Sequence, residues 1–68
     1  MVGHQRAMTE RQRLEREIYQ LTRIINADRD ALASKTTRPE DRPSLQQQID
    51  IRTARRSELQ RQLGVLST

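Results

Sequence analysis

Leu14, Ile18, Leu21, Ile25, Asp28 and Leu32 follow one another at spacings of four, three, four, three and four residues. An α-helix completes a turn every 3.6 residues, so this alternation holds all six side chains on one narrow stripe, and the two-residue period of a strand does not reproduce it. A second stripe of the same kind runs through Leu45, Ile49, Arg52, Arg56, Leu59, Leu63 and Leu66. An aliphatic stripe must be covered, and two of them in one chain cover each other most simply. The sequence therefore predicts an all-α fold, an antiparallel two-helix hairpin of coiled-coil character. Folding it back on itself pairs Leu32 with Leu45, Ile25 with Arg52, Leu21 with Arg56, Ile18 with Leu59 and Leu14 with Leu63. Both ends of that seam are apolar and its middle is polar.

The boundaries come from local chemistry. Residues 1 to 8, with Gly3 and His4, show no periodicity and read as a disordered leader. Thr9 with Gln12 three residues later fits a capping box, and Glu10 complements the positive end of the helix dipole, so the first helix is expected over residues 9–33. Ser34 to Pro43 contains Ser34, Thr36, Thr37, Pro39, Pro43 and five charged residues, and is read as the turn over residues 34–42. Thr37 with Glu40 forms another capping-box pattern. A helix entering there would carry the Pro43 ring into a clash with an earlier carbonyl, so the second helix is placed at 43–66, starting near Arg42 with Pro43 in its first turn, and the preceding segment is a turn or a short helical piece. Gly64 is read as a C-terminal stop, although Val65 and Leu66 extend the apolar pattern beyond it.

A single domain of 68 residues buries only roughly 60% of the surface its unfolded chain exposes. Without cysteine, neither disulfides nor a thiolate metal site can add stability, which leaves helix packing and association with other chains. Dimerisation into a four-helix bundle is the expected consequence. The net charge of +4 comes from twelve Arg and one Lys, Lys35. Such an excess suits phosphate or carboxylate recognition, and it equally reflects a GC-rich coding sequence. No stretch approaches the ~20 apolar residues that span a bilayer and the N-terminus lacks the apolar core of a secretory signal, so a soluble, cytoplasmic protein is expected.

Few residues offer chemistry. Asp28 on the first stripe, set against Arg52 or Arg56 on the second, reads as a polar contact that fixes register; in the alternative reading the arginine stems lie along the seam while their heads reach water. His4 has no neighbouring ligand types, so no metal set assembles around it. Glu15 with Glu17, and Asp28 with Asp30, lie two residues apart on different sides of a helix, which removes a paired acid and base role. With no glycine-rich loop, activated nucleophile or enclosed pocket, the chain is not expected to be an enzyme, to bind a cofactor or metal, or to act on a small-molecule substrate.

Binding to another macromolecule remains. Ile24, Ala27 and Ala31 widen the first stripe to one side, and Ile51 and Ala54 widen the second. Together with Leu21 they are read as a protein interface for a helical partner, a second copy, or both; the alternative is that they thicken the hairpin core. Arg52, Arg55 and Arg56 form the purest basic cluster and are the candidates for RNA or DNA contact, since Glu10, Glu15 and Glu17 dilute Arg11, Arg13 and Arg16. Tyr19 is the only aromatic residue, so such contact would be electrostatic rather than through stacked bases.

Pro39 and Glu40, followed by Leu45-Gln46-Gln47-Gln48 and the ending Leu63-Gly64-Val65-Leu66-Ser67, resemble the second helix of the YscE/PscE family. The likeness covers residues 39 to 67, with a shift of one heptad between its halves, while the first helix matches only in pattern. It implies a small co-chaperone hairpin that works with a tetratricopeptide-like partner to hold a type III secretion needle subunit in the cytoplasm. The general plan also resembles Rop-like hairpins, which dimerise into four-helix bundles and bind RNA; that likeness is architectural and transfers no residues.

Overall fold

The computed structural model describes residues 8–67, so the expected leader, apart from Met8, and His4 lie outside the described residues. Helix α1 runs over Glu10–Ala33 and helix α2 over Arg42–Ser67, and the two pack side by side as an antiparallel hairpin. The shortest principal extent is 13 Å, the thickness of one helix layer.

Helix α1 starts where the capping chemistry requires. Thr9 is extended, its hydroxyl accepts from the Gln12 backbone N–H at 3.1 Å, and the Gln12 carboxamide oxygen accepts from the Thr9 N–H at 3.0 Å. Two N–H groups that the helix cannot pair internally are thereby satisfied. No Gly or Pro interrupts the helix before Ala33. It ends at Ser34, whose extended backbone donates its N–H to the Ala31 carbonyl at 3.1 Å.

The turn contains the short helical piece that the sequence allows ahead of the second helix. Arg38 is extended, as the bulk of a following proline requires, and Pro39–Asp41 form a single 3-10 turn. Thr37 does not cap that turn; its hydroxyl donates back to the Ala31 carbonyl. Arg42 has helical angles although it too precedes a proline, and Pro43 sits at the second residue of α2, where a missing N–H costs no helical hydrogen bond. The Arg42 guanidinium reaches back to the end of α1, donating to the Leu32 carbonyl at 2.8 Å and the Ser34 carbonyl at 3.4 Å. One side chain thus begins one helix and caps the other, satisfying carbonyls at the negative end of the α1 dipole.

Gly64 does not act as the expected stop, because α2 continues through it to Ser67. Nothing lies within 4 Å of where a Cβ at position 64 would stand, so packing does not demand a glycine there.

The core consists of Leu14 and Ile25 from α1 with Ile49 and Leu59 from α2. Ile18, Leu21, Leu32, Leu45 and Leu63 are half-buried around them. Four buried aliphatic side chains make a thin core even for a chain of this size. Between its apolar ends the seam carries a polar layer. Arg52 Nη1 donates to Asp28 Oδ2 at 2.6 Å, the register contact expected for Asp28. Arg56 Nη1 donates to Thr22 Oγ1 at 3.3 Å, while the Thr22 hydroxyl itself donates to the Ile18 carbonyl at 2.8 Å. Arg56 Nε and Thr53 Oγ1 are buried without a hydrogen-bond partner.

Candidate interaction surface

The two broad sides of this single layer differ in chemistry. Ile24 and Ile51 each stand nine residues from the turn end of their helix, since α1 ends at Ala33 (33 − 24 = 9) and α2 begins at Arg42 (51 − 42 = 9). Antiparallel packing therefore brings them to the same level of the rod. Helical spacing also sets them on the same flank. Glu17 and Asp28 lie seven and four residues from Ile24, Arg55 lies four from Ile51, and Arg52 is its neighbour. The inter-helix pairs Arg52 with Asp28 at 2.6 Å and Arg55 with Glu17 at 3.3 Å join those positions across this flank.

Ile24 is 41% exposed and Ile51 61%, values high for isoleucine where the core among the described residues holds four side chains. Ile24 and Ala27 line a shallow apolar groove with Gln20 and Arg23, and Arg23 lies over the Tyr19 ring, 5.9 Å from its centroid. Ala31 and Leu21 are half-buried beside them. Ala54, expected on the same face, instead lines a different groove with Arg29, Gln46, Asp50 and Thr53. The stripe of α2 is wide enough that Ile51 and Ala54 fall to opposite sides of it, a distinction that one helix considered alone does not make. Of the six residues expected to form the interface, Leu21, Ile24, Ala31 and Ile51 converge on one flank, Ala27 edges it from the outer side of α1, and Ala54 is separate.

The arginines expected to face nucleic acid are engaged within the hairpin. Arg52 binds Asp28, Arg55 binds Glu17, and Arg56 is half-buried against Thr22. On the outer faces charges alternate in sign: Arg11 meets Glu15 at 3.6 Å and Arg13 meets Glu10 at 3.6 Å. Arg61 pairs with Glu58, and the Gln62 carboxamide donates to Glu58 at 3.1 Å. The donor Gln62, and after it Arg61, holds the Glu58 carboxyl below the ordinary carboxylate range.

A second apolar region, not anticipated from the sequence, lies at the open end of the hairpin. Val65 and Leu66 are 65% and 48% exposed and share a groove with Glu10, Leu14, Arg61 and Gln62. Its signal in the sequence is the continuation of the second stripe past Leu63, which without a structure reads as further packing. Among the described residues no cluster of His, Cys, Asp and Glu could hold a metal ion, and no helix is long and apolar enough to cross a membrane. The chain matches no family model, no curated protein and no solved structure.

Proposed function

We propose that this hairpin is a protein–protein interaction module of adaptor or co-chaperone type, which docks the flank carrying Leu21, Ile24, Ala31 and Ile51 on a helical protein surface. The observation that carries this reading is the pair Ile24 and Ile51, exposed at one level of the rod and on one flank, beside charges that already satisfy one another. Exposed aliphatic side chains on a helix face are the usual anchors of helix-in-groove and bundle contacts. The resemblance of residues 39–67 to a family of co-chaperone hairpins supports the same class of activity. Contact with RNA or DNA through Arg52, Arg55 and Arg56 is less well supported, because each of them already engages a partner within the hairpin, Asp28, Glu17 and Thr22 respectively.

The reading is tested by placing a photo-reactive side chain at position 24 or 51 in the intact chain, and at position 57, on the flank of Asp50 and Thr53, as a control. Protein adducts at 24 and 51 with none at 57 are expected. Equal yields at all three positions, or adducts only with nucleic acid, would overturn it.

A further inference from the structure

If the flank docks on protein, its area, the position of its apolar pair and its charge balance specify the partner. We infer that a second copy of this chain covers the Ile24–Ile51 flank, two hairpins meeting about a two-fold axis in the contact plane to form a four-helix bundle. This deepens the interaction-module reading and rests on it.

Area is the first argument. Helices of 24 and 26 residues are about 36–39 Å long at ~1.5 Å per residue. Two of them side by side at a spacing of ~8–10 Å present a face of roughly 700 Å². One partner of a standard-size stable interface buries about 800 Å², so a stable contact must use nearly the whole face. A lone partner helix covers about half of it. A second hairpin of equal length and width covers all of it, and supplies the second layer that a 13 Å sheet of helices lacks.

Position is the second. Ile24 and Ile51 stand about 13–14 Å from the turn ends of their helices, and the turn extends the rod further at that end, which brings the pair close to mid-length. A mid-length patch is the one that two-fold symmetry returns to itself while the rods overlap fully. With the axis across the helices, Ile24 meets the partner's Ile24; with the axis along the rod, Ile24 meets the partner's Ile51. Both arrangements set aliphatic on aliphatic.

Charge is the third. The chain carries +4, yet four of the charges bordering this pair are two arginines matched to two carboxylates, Arg52 with Asp28 and Arg55 with Glu17, and the remaining one, Arg23 in the groove beside Ile24, lies over the Tyr19 ring. A flank with one cation beyond its matched pairs is a weak lure for an acidic partner. It is complementary to itself, because an isologous contact sets the same balanced pairs against each other. The opposite flank sets Leu32, Ile49 and Ala54 among Arg29, Gln46, Asp50 and Thr53, whose polar groups would have to be desolvated.

The test is the solution mass of the full chain by light scattering over a dilution series, at low and moderate salt, for the wild type, Ile24→Asp, Ile51→Asp, Ile24→Ala and Ser57→Asp. We expect twice the 8.0 kDa chain mass for the wild type and Ser57→Asp, and the monomer mass for both isoleucine-to-aspartate variants. Ile24→Ala should raise the dissociation constant about tenfold; since alanine is the better helix former, that loss cannot come from lost helix propensity. A wild type that stays monomeric at every concentration, or that forms a higher assembly, overturns the second copy as partner and leaves the docking flank to be judged by cross-linking. A dimer that persists in both aspartate variants forms through another surface and overturns this inference, again leaving the docking flank to be judged by cross-linking.

Discussion

The seam between the helices consists of two unlike regions. At its open end Leu14 and Leu59, and toward the turn Leu32 and Leu45, exclude water with aliphatic surface; at its middle, on either side of the buried Ile25, Asp28, Arg52, Thr22 and Arg56 meet through directed polar contacts. Aliphatic layers stabilise without specifying much, since a Leu opposite a Leu is satisfied one heptad away as well. A charge pair is satisfied in only one register, and any slip leaves a half-buried carboxylate and guanidinium apart. Stability and specificity are thus carried by different residues of the same stripe.

The largest effect should come from the aliphatic layers. Ile25→Ala or Leu59→Ala removes a side chain with almost no exposure and is expected to lose about 2–4 kcal/mol, seen as a large fall in the urea midpoint. For a domain of this size that is a substantial part of total stability. The polar layer should respond differently. Asp28→Leu alone strands Arg52 and should lose about 1 kcal/mol, discounted because the arginine side chain keeps 34% of its exposure. Joined with Arg52→Leu, the loss should be recovered while register is relaxed, visible as doubled amide resonances along the seam. A double variant as destabilised as the single one would remove the distinction between the two layers.

Two smaller effects lie outside the seam and should be indifferent to it. Gly64→Ala, at an exposed helical position with open space around it, should gain roughly 0.5–1 kcal/mol in a thermal melt. The Glu58 carboxyl is held below its ordinary value by Gln62 and then Arg61, so its contribution is complete above the unfolded carboxylate value of about 4.3 and is lost as pH falls through the lower folded value. Replacing Gln62 by alanine should move the Glu58 titration, followed by carboxyl NMR, back toward that ordinary value.

These contrasts also mark how far the residues could be read before folding. The Thr9 and Gln12 cap, the stripe from Leu14 to Leu32, Pro43 in the first turn of α2 and the pairing of Asp28 with Arg52 were all legible, because each depends on spacing within a helix or on one antiparallel alignment. Gly64 misled as a stop, since a glycine marks a helix end only where the backbone must turn left-handed, and the apolar pattern continuing through Val65 and Leu66 was the better signal. Ala54 misled because its side of α2 is defined only once α1 is in place. The reach of Arg42 to Leu32 and Ser34 was not legible at all: it depends on the 3-10 turn that aims the side chain, and a proline-bounded arginine shows no pattern.

That reach has a kinetic meaning. Arg42 closes a loop of only ten residues back to Leu32, and loops of that length close in about 10–100 ns. Each further pair along the seam then adds next to one already made, so the entropy of bringing the helices together falls mainly on the turn. On this ground contacts at the turn are expected to form first and those near Leu14 and Leu59 last, a zipper with the Arg42 guanidinium at its starting end, which φ-values near 1 at the turn and near 0 at Leu14 and Leu59 would check.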